Sequence, residues 1–272
     1  MRHDRLRLTP GHPVTLSTIA PDDTAAFEGK RADADAELPR LRAELGRLQE
    51  LLYADQRRSI LIVLQGMDTA GKDGVIRHVF EGVNPQGVEV ASFRAPTPEE
   101  AEHDFLWRVH VHAPSKGHIA IFNRSHYEDV LVARVHGAVP RTVWLQRFRA
   151  INEFERELSF EGTVVLKFFL HISRDEQRRR LLERLDEPAK GWKLTSADLY
   201  ERRFWTAYLA AYEDALRRTT TDWAPWWIIP SDHKWFRNWV VSRVLVDTLQ
   251  QLKLRYPRSL EDPRKVRRAL AR

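Results

Sequence analysis

The sequence predicts an α/β protein built on a five-stranded parallel sheet with helices on both faces. Short apolar runs alternate along the chain with segments whose apolar residues recur at helical spacing. A glycine-containing segment joins the first apolar run to the helix that follows it. Strands that alternate with helices form parallel sheets whose two faces are both buried, which explains why these runs are apolar throughout.

Each element follows from a local pattern. Leucines at helical spacing before the first strand predict a long helix, and Pro39 suits its first turn. Further single helices are predicted over about 99–111, 196–219 and 234–254. The five predicted strands are residues 60–64, 88–93, 118–122, 164–170 and 226–229.

Composition narrows the class of protein. The 272 residues are 43% hydrophobic and include no cysteine, which excludes disulfides, thiolate metal sites and cysteine nucleophiles. No apolar run approaches the ~18 residues that span a bilayer, and the amino terminus lacks the pattern of a secretory signal. We therefore expect no membrane partner and a cytoplasmic protein. The net charge of +6 favours an anionic partner, and nucleotides, polyanions and nucleic acid all remain open.

The chain is expected to divide into three parts. Residues 1–57 form an extension and a helix that pack on the core, and residues 58–256 form the core itself. Within the core, a lid is expected at about 175–196. Residues 257–272 are rich in arginine and are expected to form a basic, solvated tail.

A phosphate-binding loop is predicted directly after the first strand. The segment GMDTAGKDG contains the G-x-x-x-x-G-K pattern between a strand and a helix, which is the context that this loop requires. Backbone N–H groups and the helix amino terminus then face an anion, and Lys72 adds its charge on the outer phosphates. The predicted phosphate-binding residues around Lys72 are Gly66, Thr69, Ala70, Gly71, Asp73 and Gly74.

One departure from this pattern concerns the metal. The residue after Lys72 is usually Ser or Thr, whose hydroxyl binds Mg²⁺, but here it is Asp73. Asp68 is therefore the candidate ligand, since Mg²⁺ prefers carboxylates together with substrate phosphates. Glu128 and Asp129 are alternatives for a second ligand, and Mn²⁺ is an alternative metal.

Two further segments carry cations. The third strand runs into Asn123 and Arg124, and a planar guanidinium there suits phosphate oxygens. His126 could act as a base, although packing is the favoured interpretation. Arg180 and Arg184 are four residues apart on one helix face, before a loop that contains further cations, which is typical of a closing lid.

From about residue 51 to 256 the chain resembles the type 2 polyphosphate kinases. The matching segments are GMDTAGKDG, FRAPTPEE, HDFLWRVH, FNRSHYEDVLVARV, DEPAKGWK and PWWIIPSDHKW, in the same order and spacing. The resemblance implies a P-loop kinase core with a lid, and a homodimer or homotetramer. It also implies Mg²⁺-dependent, reversible phosphoryl transfer from inorganic polyphosphate to nucleotides.

The resemblance also assigns residues. It implies that Asp68, Lys72, Arg124, Arg180 and Arg184 are catalytic. Asn123 is similar to the branch that accepts both mono- and diphosphates, so AMP and ADP are the expected acceptors, with ATP as product and guanine nucleotides as an alternative. Three arginines are weaker candidates for a polyphosphate channel, namely Arg77, Arg94 and Arg134.

Two alternatives remain. An ATP-dependent nucleoside monophosphate kinase shares the loop, the arginine and the lid, although Asp73 argues against a standard grip on ATP and Mg²⁺. A nucleic-acid-binding protein that uses the basic tail is the other, but no binding motif supports it. We therefore expect no nucleic-acid partner.

Overall fold

The five predicted strands form one parallel sheet, which confirms the predicted fold class. The computed structural model of the chain describes residues 2–187, 191–192, 195–258 and 262–271. The strands are β1 Ser59–Gln65, β2 Val88–Ser92, β3 Ile119–Asn123, β4 Thr163–His171 and β5 Trp226–Pro230. Their order in the sheet is β2-β3-β1-β4-β5, and the central strand β1 is buried along its whole length.

Helices of the described ranges pack in two groups around this sheet. The α-helices are α1 Arg31–Asp55, α2 Lys72–Val79, α3 Pro98–Ala101, α4 Trp107–His110, α5 Val132–Val135, α6 Arg141–Phe160, α7 Arg174–Asp186, α8 Ser196–Glu201, α9 Trp205–Thr219, α10 Lys234–Gln251 and α11 Pro263–Leu270. One group contains α1, α2 and α10, and the other contains α5, α6 and α9. No helix in the described ranges is long and apolar enough to cross a membrane.

The predicted start of the first helix was wrong. Helix α1 begins at Arg31, and Pro39 lies inside it and not in its first turn. The N-terminal signal is Asp33, whose carboxylate accepts from the Lys30 N–H at 2.7 Å. Such a side-chain acceptor satisfies one of the free N–H groups of a first turn, and proline is not needed for that.

Two predicted single helices are interrupted. The segment 99–111 contains α3 and α4, because the Asp104 carboxylate accepts from the Leu106 N–H at 2.9 Å and starts a new turn. The segment 196–219 contains α8 and α9 with a 3₁₀ turn at Arg202–Phe204 between them. Helical periodicity continues across both breaks, so the sequence pattern alone did not reveal them.

The chain ends pack differently from each other. The amino-terminal segment reaches the edge of the sheet, where the Leu8 N–H donates to the Trp226 carbonyl at 2.8 Å and Leu16 is buried. In the predicted tail, by contrast, residues 263–270 form the exposed helix α11. The expectation of solvent exposure was right for this segment, but its helix was not predicted.

Candidate active site

The phosphate loop joins β1 to α2, and its conformation requires glycine at its first position. At Gly66 the φ angle is +151°, and a Cβ there would lie 2.7 Å from the Leu170 carbonyl oxygen of the neighbouring strand β4. A side chain at this position would therefore force the loop away from the sheet. Thr69 also adopts a left-handed conformation, with φ +63°, and its buried hydroxyl has no partner among the described residues.

Lys72 is the first residue of α2 and bends back over the loop. Its Nζ donates to the carbonyl oxygens of Gly66 at 2.7 Å and Met67 at 3.3 Å. The pKa of Lys72 falls to about 8 because the ammonium is buried and lies near the Arg124 guanidinium. An anion in the loop would offset both effects, so the lysine is poised to bind a phosphate.

Asn123 and Asp73 make a direct contact across two elements. The Asn123 Nδ2 at the end of β3 donates to the Asp73 Oδ1 in the first turn of α2 at 2.8 Å. The loop residue that replaces the usual serine or threonine is thus bound to the residue that was predicted to set acceptor range. Asp73 and Asn123 are therefore two parts of one structural feature, the contact between α2 and the end of β3.

Arg124 sits in a strained position beside this contact. Its φ angle is +61°, a left-handed conformation that is uncommon for a bulky residue, and its N–H donates to the Leu64 carbonyl at 3.2 Å. Strain of this kind costs on the order of 1–3 kcal/mol and is concentrated at functional sites. The turn holds a half-exposed guanidinium at the carboxyl edge of the sheet.

Two carboxylates and two arginines meet there. The Arg184 Nη1 lies 3.4 Å from the Asp68 Oδ2, and the Arg124 Nη1 lies 3.7 Å from the Glu128 Oε2. Burial raises the pKa of the Glu128 carboxyl, against the opposing effect of Arg124. Together with Lys72 and the contact between Asn123 and Asp73, these four charged groups are the part of the predicted site that the tertiary structure brings together.

A cavity of about 290 Å³ opens beside the loop. Asp68, Arg124 and Glu128 line it. The lining also includes three aromatic side chains of α9, Trp205, Tyr208 and Tyr212, together with the charged side chains of Asp198, Glu201 and Arg202. The cavity therefore suits a ligand that carries both charged groups and a flat apolar surface.

Asp68 and Glu128 fit a magnesium ion. Both carboxylates line this cavity, and Mg²⁺ is usually bound by one or two carboxylates, with water and substrate phosphates completing its coordination. No group of three metal-ligating side chains occurs among the described residues, so the protein alone would supply few ligands. Asp129 lies elsewhere, against Arg108 and Arg147 at 3.7 and 3.4 Å, and does not line the cavity.

Arg180 is not directed at the cavity, although it was predicted to be a phosphate ligand. Its side chain is only 6% exposed and lies behind the loop. All five of its N–H donors are used by protein acceptors, which leaves none for a phosphate in this conformation. These acceptors are the Glu176 carboxylate at 2.7 Å and the carbonyls of Thr69 at 2.9 Å, Ala70 at 3.2 Å, Ser231 at 2.6 Å and Asp232 at 3.0 Å.

The three channel candidates are not brought together around the cavity. Arg134 is bound to Asp214 at 2.7 Å and stacks on Trp144. Arg77 is exposed in the last turn of α2, and Arg94 is exposed just beyond β2 and lines a different, smaller cavity. Of the lid loop, residues 188–190 and 193–194 lie outside the described residues.

Sequence reasoning missed several residues. Gln177 on α7 donates to the Asp68 carbonyl at 3.2 Å and accepts from Arg202 at 2.6 Å, so it joins the phosphate loop to the 3₁₀ turn between α8 and α9. Trp226 and Trp227 are both buried in β5 and do not line the cavity. The aromatic residues at the cavity are Trp205, Tyr208 and Tyr212, and only their helical spacing of three and four marks them in the sequence.

A buried ionic cluster supports the turn that carries Arg124 and Glu128. The Lys167 Nζ on β4 donates to the Glu155 Oε2 at 2.6 Å and to the Tyr127 hydroxyl at 3.0 Å, and all three side chains are fully buried. His126 is also fully buried, with its Nε2 3.3 Å from the same carboxylate. It packs in the interior, as the favoured interpretation of the sequence expected.

The parallel sheet, the glycine-containing loop at the first strand and the arginines at its carboxyl edge define a P-loop kinase fold. The match to known proteins is more specific. The family model for polyphosphate kinase 2 (PPK2) matches residues 28–257, and the chain belongs to that family. The match begins earlier than the predicted resemblance and includes α1, which packs against α10.

Relatives and solved structures agree with this assignment. The chain is 55% identical over 253 residues to the AMP/ADP-polyphosphate phosphotransferase of Meiothermus ruber, covering 93% of this chain and 95% of the relative. It is 47% identical over 242 residues to the ADP-polyphosphate phosphotransferase of Rhodopseudomonas palustris, covering 84% of each. The crystal structure of polyphosphate kinase 2 from Arthrobacter aurescens TC1 superposes with a TM-score of 0.95 at 40% identity, covering 99% of this chain and 96% of that one.

Proposed function

We propose that this chain transfers the terminal phosphoryl group of inorganic polyphosphate to AMP and to ADP, in a reversible reaction that requires Mg²⁺. The observation that carries the proposal is the phosphate loop whose Asp73 is bound to Asn123 beside Arg124. Family membership and the names of the relatives from M. ruber and R. palustris support the donor and the acceptors.

The acceptor nucleotide is proposed to occupy the cavity beside the loop. Trp205 and Tyr208 offer aromatic surface to a base, and Arg124 in the same lining offers a guanidinium to a phosphate. The donor chain would then approach from the side of Lys72 and the amino terminus of α2. We infer that the unpartnered Thr69 hydroxyl donates to a phosphate oxygen.

The chemistry needs positioning and charge neutralisation. A terminal oxygen of the nucleotide forms a bond to the terminal phosphorus of the chain, and the bond to the bridging oxygen breaks, leaving that oxygen's electrons on the shortened polyphosphate. The attacking oxygen is already anionic, so no strong general base is needed. Lys72 would exchange the loop carbonyls for phosphate oxygens, and Arg124 and Arg184 would stabilise the charge that is transferred.

Mg²⁺, or Mn²⁺ in its place, would be held by Asp68 and Glu128, and it would neutralise phosphate charge. Arg180 is proposed to position the loop, since its donors are already engaged there. We also predict that residues 175–196 close as a lid, that the protein forms a homodimer or homotetramer, and that it is cytoplasmic.

The deciding experiment uses polyphosphate as the sole donor. The purified protein is incubated with Mg²⁺ and a panel of AMP, ADP, GMP and GDP, and the products are separated by chromatography. We expect ADP and ATP to form from AMP, and Lys72→Ala to lose activity by about 10² to 10³. If ATP but not polyphosphate serves as donor, the protein is a nucleoside monophosphate kinase instead.

A further inference from the structure

A second arginine lies behind the phosphate loop and reaches the same carbonyl as Arg180. Arg237 on α10 is only 2% exposed, and its Nη1 donates to the Ala70 carbonyl at 3.1 Å. Arg180 donates to that oxygen at 3.2 Å. Two guanidinium groups from different helices therefore hold one peptide group of the loop from the rear.

This contact fixes the direction of a backbone donor. The described chain has no cis peptide bond, and in a trans peptide the carbonyl and the following N–H point in opposite directions. Because the Ala70 carbonyl points back to the arginines, the Gly71 N–H points forward, on the side where an anion would bind. The amino terminus of α2 begins at the next residue, so this N–H adds to the positive end of the helix.

The glycines of the loop leave room for Arg237. A Cβ at Gly71 would lie 1.8 Å from the Arg237 Nη1, and one at Gly74 would lie 3.0 Å from its Nη2. The guanidinium thus packs directly against the backbone of both residues. The side chain is kept there by Asn238, whose Oδ1 accepts from the Arg237 Nε at 3.1 Å and from Nη2 at 2.9 Å.

The charge of Arg237 is not balanced within the described protein. Arg180 has the Glu176 carboxylate at 2.7 Å, but no carboxylate among the described residues lies within ion-pairing distance of Arg237. Burial and the neighbouring Arg180 lower the pKa of Arg237 to about 9. A buried charge without a partner destabilises the folded protein, and an anion in front of the loop would offset part of that cost.

We propose that Arg237 is a positioning residue for the phosphate loop, and that the phosphate bound in front of the loop balances its buried charge. This inference rests on the proposed function, because it requires that the loop binds a phosphate chain. Arg237 would contribute in two ways, because it orients the Gly71 N–H and because its positive charge attracts the phosphate.

Binding of inorganic tripolyphosphate tests the inference without catalysis. The full-length protein, Arg237→Met and Arg237→Lys are titrated with tripolyphosphate by calorimetry, and their melting temperatures are measured with and without it. Arg237→Met removes the charge and the donors but keeps most of the volume. We expect its dissociation constant to rise at least 10-fold, and Arg237→Lys to recover part of the loss.

Arg243→Met is the matched control, because Arg243 lies on the same helix and is bound to Glu37 and Asp247, away from the loop. It is expected to lower the melting temperature without changing the dissociation constant. Gly74→Ala is a second probe, since its Cβ would lie 3.0 Å from the Arg237 Nη2 and would shift the guanidinium slightly without removing it. If Arg237→Met does not fold, Gly74→Ala and Arg237→Lys decide the matter by their dissociation constants.

The outcomes are distinguishable. If tripolyphosphate binds the wild-type protein and the folded variants equally, Arg237 is only structural and the inference is overturned. If tripolyphosphate does not bind the wild-type protein, the phosphate site itself is wrong, and the proposed function fails with it.

Discussion

The Asn123 side-chain amide donates a hydrogen bond of 2.8 Å to the Asp73 carboxylate, and this contact joins the end of β3 to the first turn of α2. An amide at position 123 gives the carboxylate a donor, whereas an aspartate there would give it a like charge. The contact therefore supplies a structural reason why these two residue types occur together in this chain.

Asn123→Asp is expected to reduce AMP phosphorylation more than ADP phosphorylation. The variant places two carboxylates side by side next to Arg124, and AMP must bring its only phosphate to that point. ADP reaches it with its second phosphate and keeps the first as an anchor. We expect the kcat/KM for AMP to fall about 10-fold further than that for ADP, which corresponds to ~1.4 kcal/mol.

The double variant Asn123→Asp with Asp73→Asn is the control, because it exchanges the two partners and restores one amide beside one carboxylate. It should recover most of the loss. Equal losses for AMP and ADP would show that Asn123 does not select the acceptor.

Alkaline pH should weaken the binding of the phosphate donor through Lys72. The pKa of Lys72 is lowered to about 8, so the free protein loses this charge as pH rises through that value. We expect kcat/KM to fall above pH ~8. We expect kcat to fall only at a higher pH, because bound phosphate favours the charged form of Lys72. Lys72→Arg should move the fall to higher pH, since a guanidinium holds its proton more tightly than an ammonium group does.

The lowered pKa of Lys72 has the opposite effect on folding stability, which should increase as pH rises. In the unfolded chain Lys72 keeps its ordinary pKa of 10.5, so between pH ~8 and ~10.5 the unfolded state binds more protons than the folded state. The contribution of Lys72 to the free energy of unfolding therefore rises with pH in this window. Urea denaturation of wild type and Lys72→Met over that range measures the difference, and parallel pH dependences would contradict the shift.

Asp68→Asn should raise the Mg²⁺ concentration that is needed for half-maximal activity, by at least about 10-fold. Carboxylate oxygens are preferred ligands of Mg²⁺, and the amide carries no charge. Binding of Mn²⁺, followed by electron paramagnetic resonance, gives a readout that does not depend on turnover.

Arg184→Gln separates the metal from the ion pair, because Arg184 is the charged partner of Asp68. Its Mg²⁺ titration should not shift to higher concentration, although its rate should fall. A shift as large as that of Asp68→Asn would indicate that the ion pair, and not a metal–carboxylate bond, explains both variants.

Lys167→Met should destabilise the fold by about 3–5 kcal/mol, because it leaves the fully buried Glu155 carboxylate without its cation. The double variant Lys167→Met with Glu155→Leu should be less destabilised than the single one. Urea denaturation measures both, and Lys116→Met, which changes an exposed lysine, is the control. A cost below 1 kcal/mol for the single variant would contradict the importance of the pair.

The local patterns of the sequence were sufficient for the strands and the phosphate loop. Apolar runs must be buried, and alternation with helices makes the sheet parallel, so the sequence alone locates the functional edge of the sheet at the carboxyl ends of its strands. The loop pattern needs only its glycines and Lys72 between a strand and a helix. Helix ends were less certain, as Pro39 shows, because single side-chain hydrogen bonds decide them.

Only the tertiary structure could decide which cations face the substrate. Arg180 and Arg184 share a helix face, since four residues turn a helix by only about 40° beyond one full turn. Arg184 nevertheless meets Asp68 in front of the loop, whereas Arg180 is buried behind it. Spacing determines the face of a helix, but the depth of a side chain depends on what the remaining chain packs against it. The sequence did not reveal Arg237 for the same reason, since its role requires α10 to lie against a loop 167 residues away in sequence.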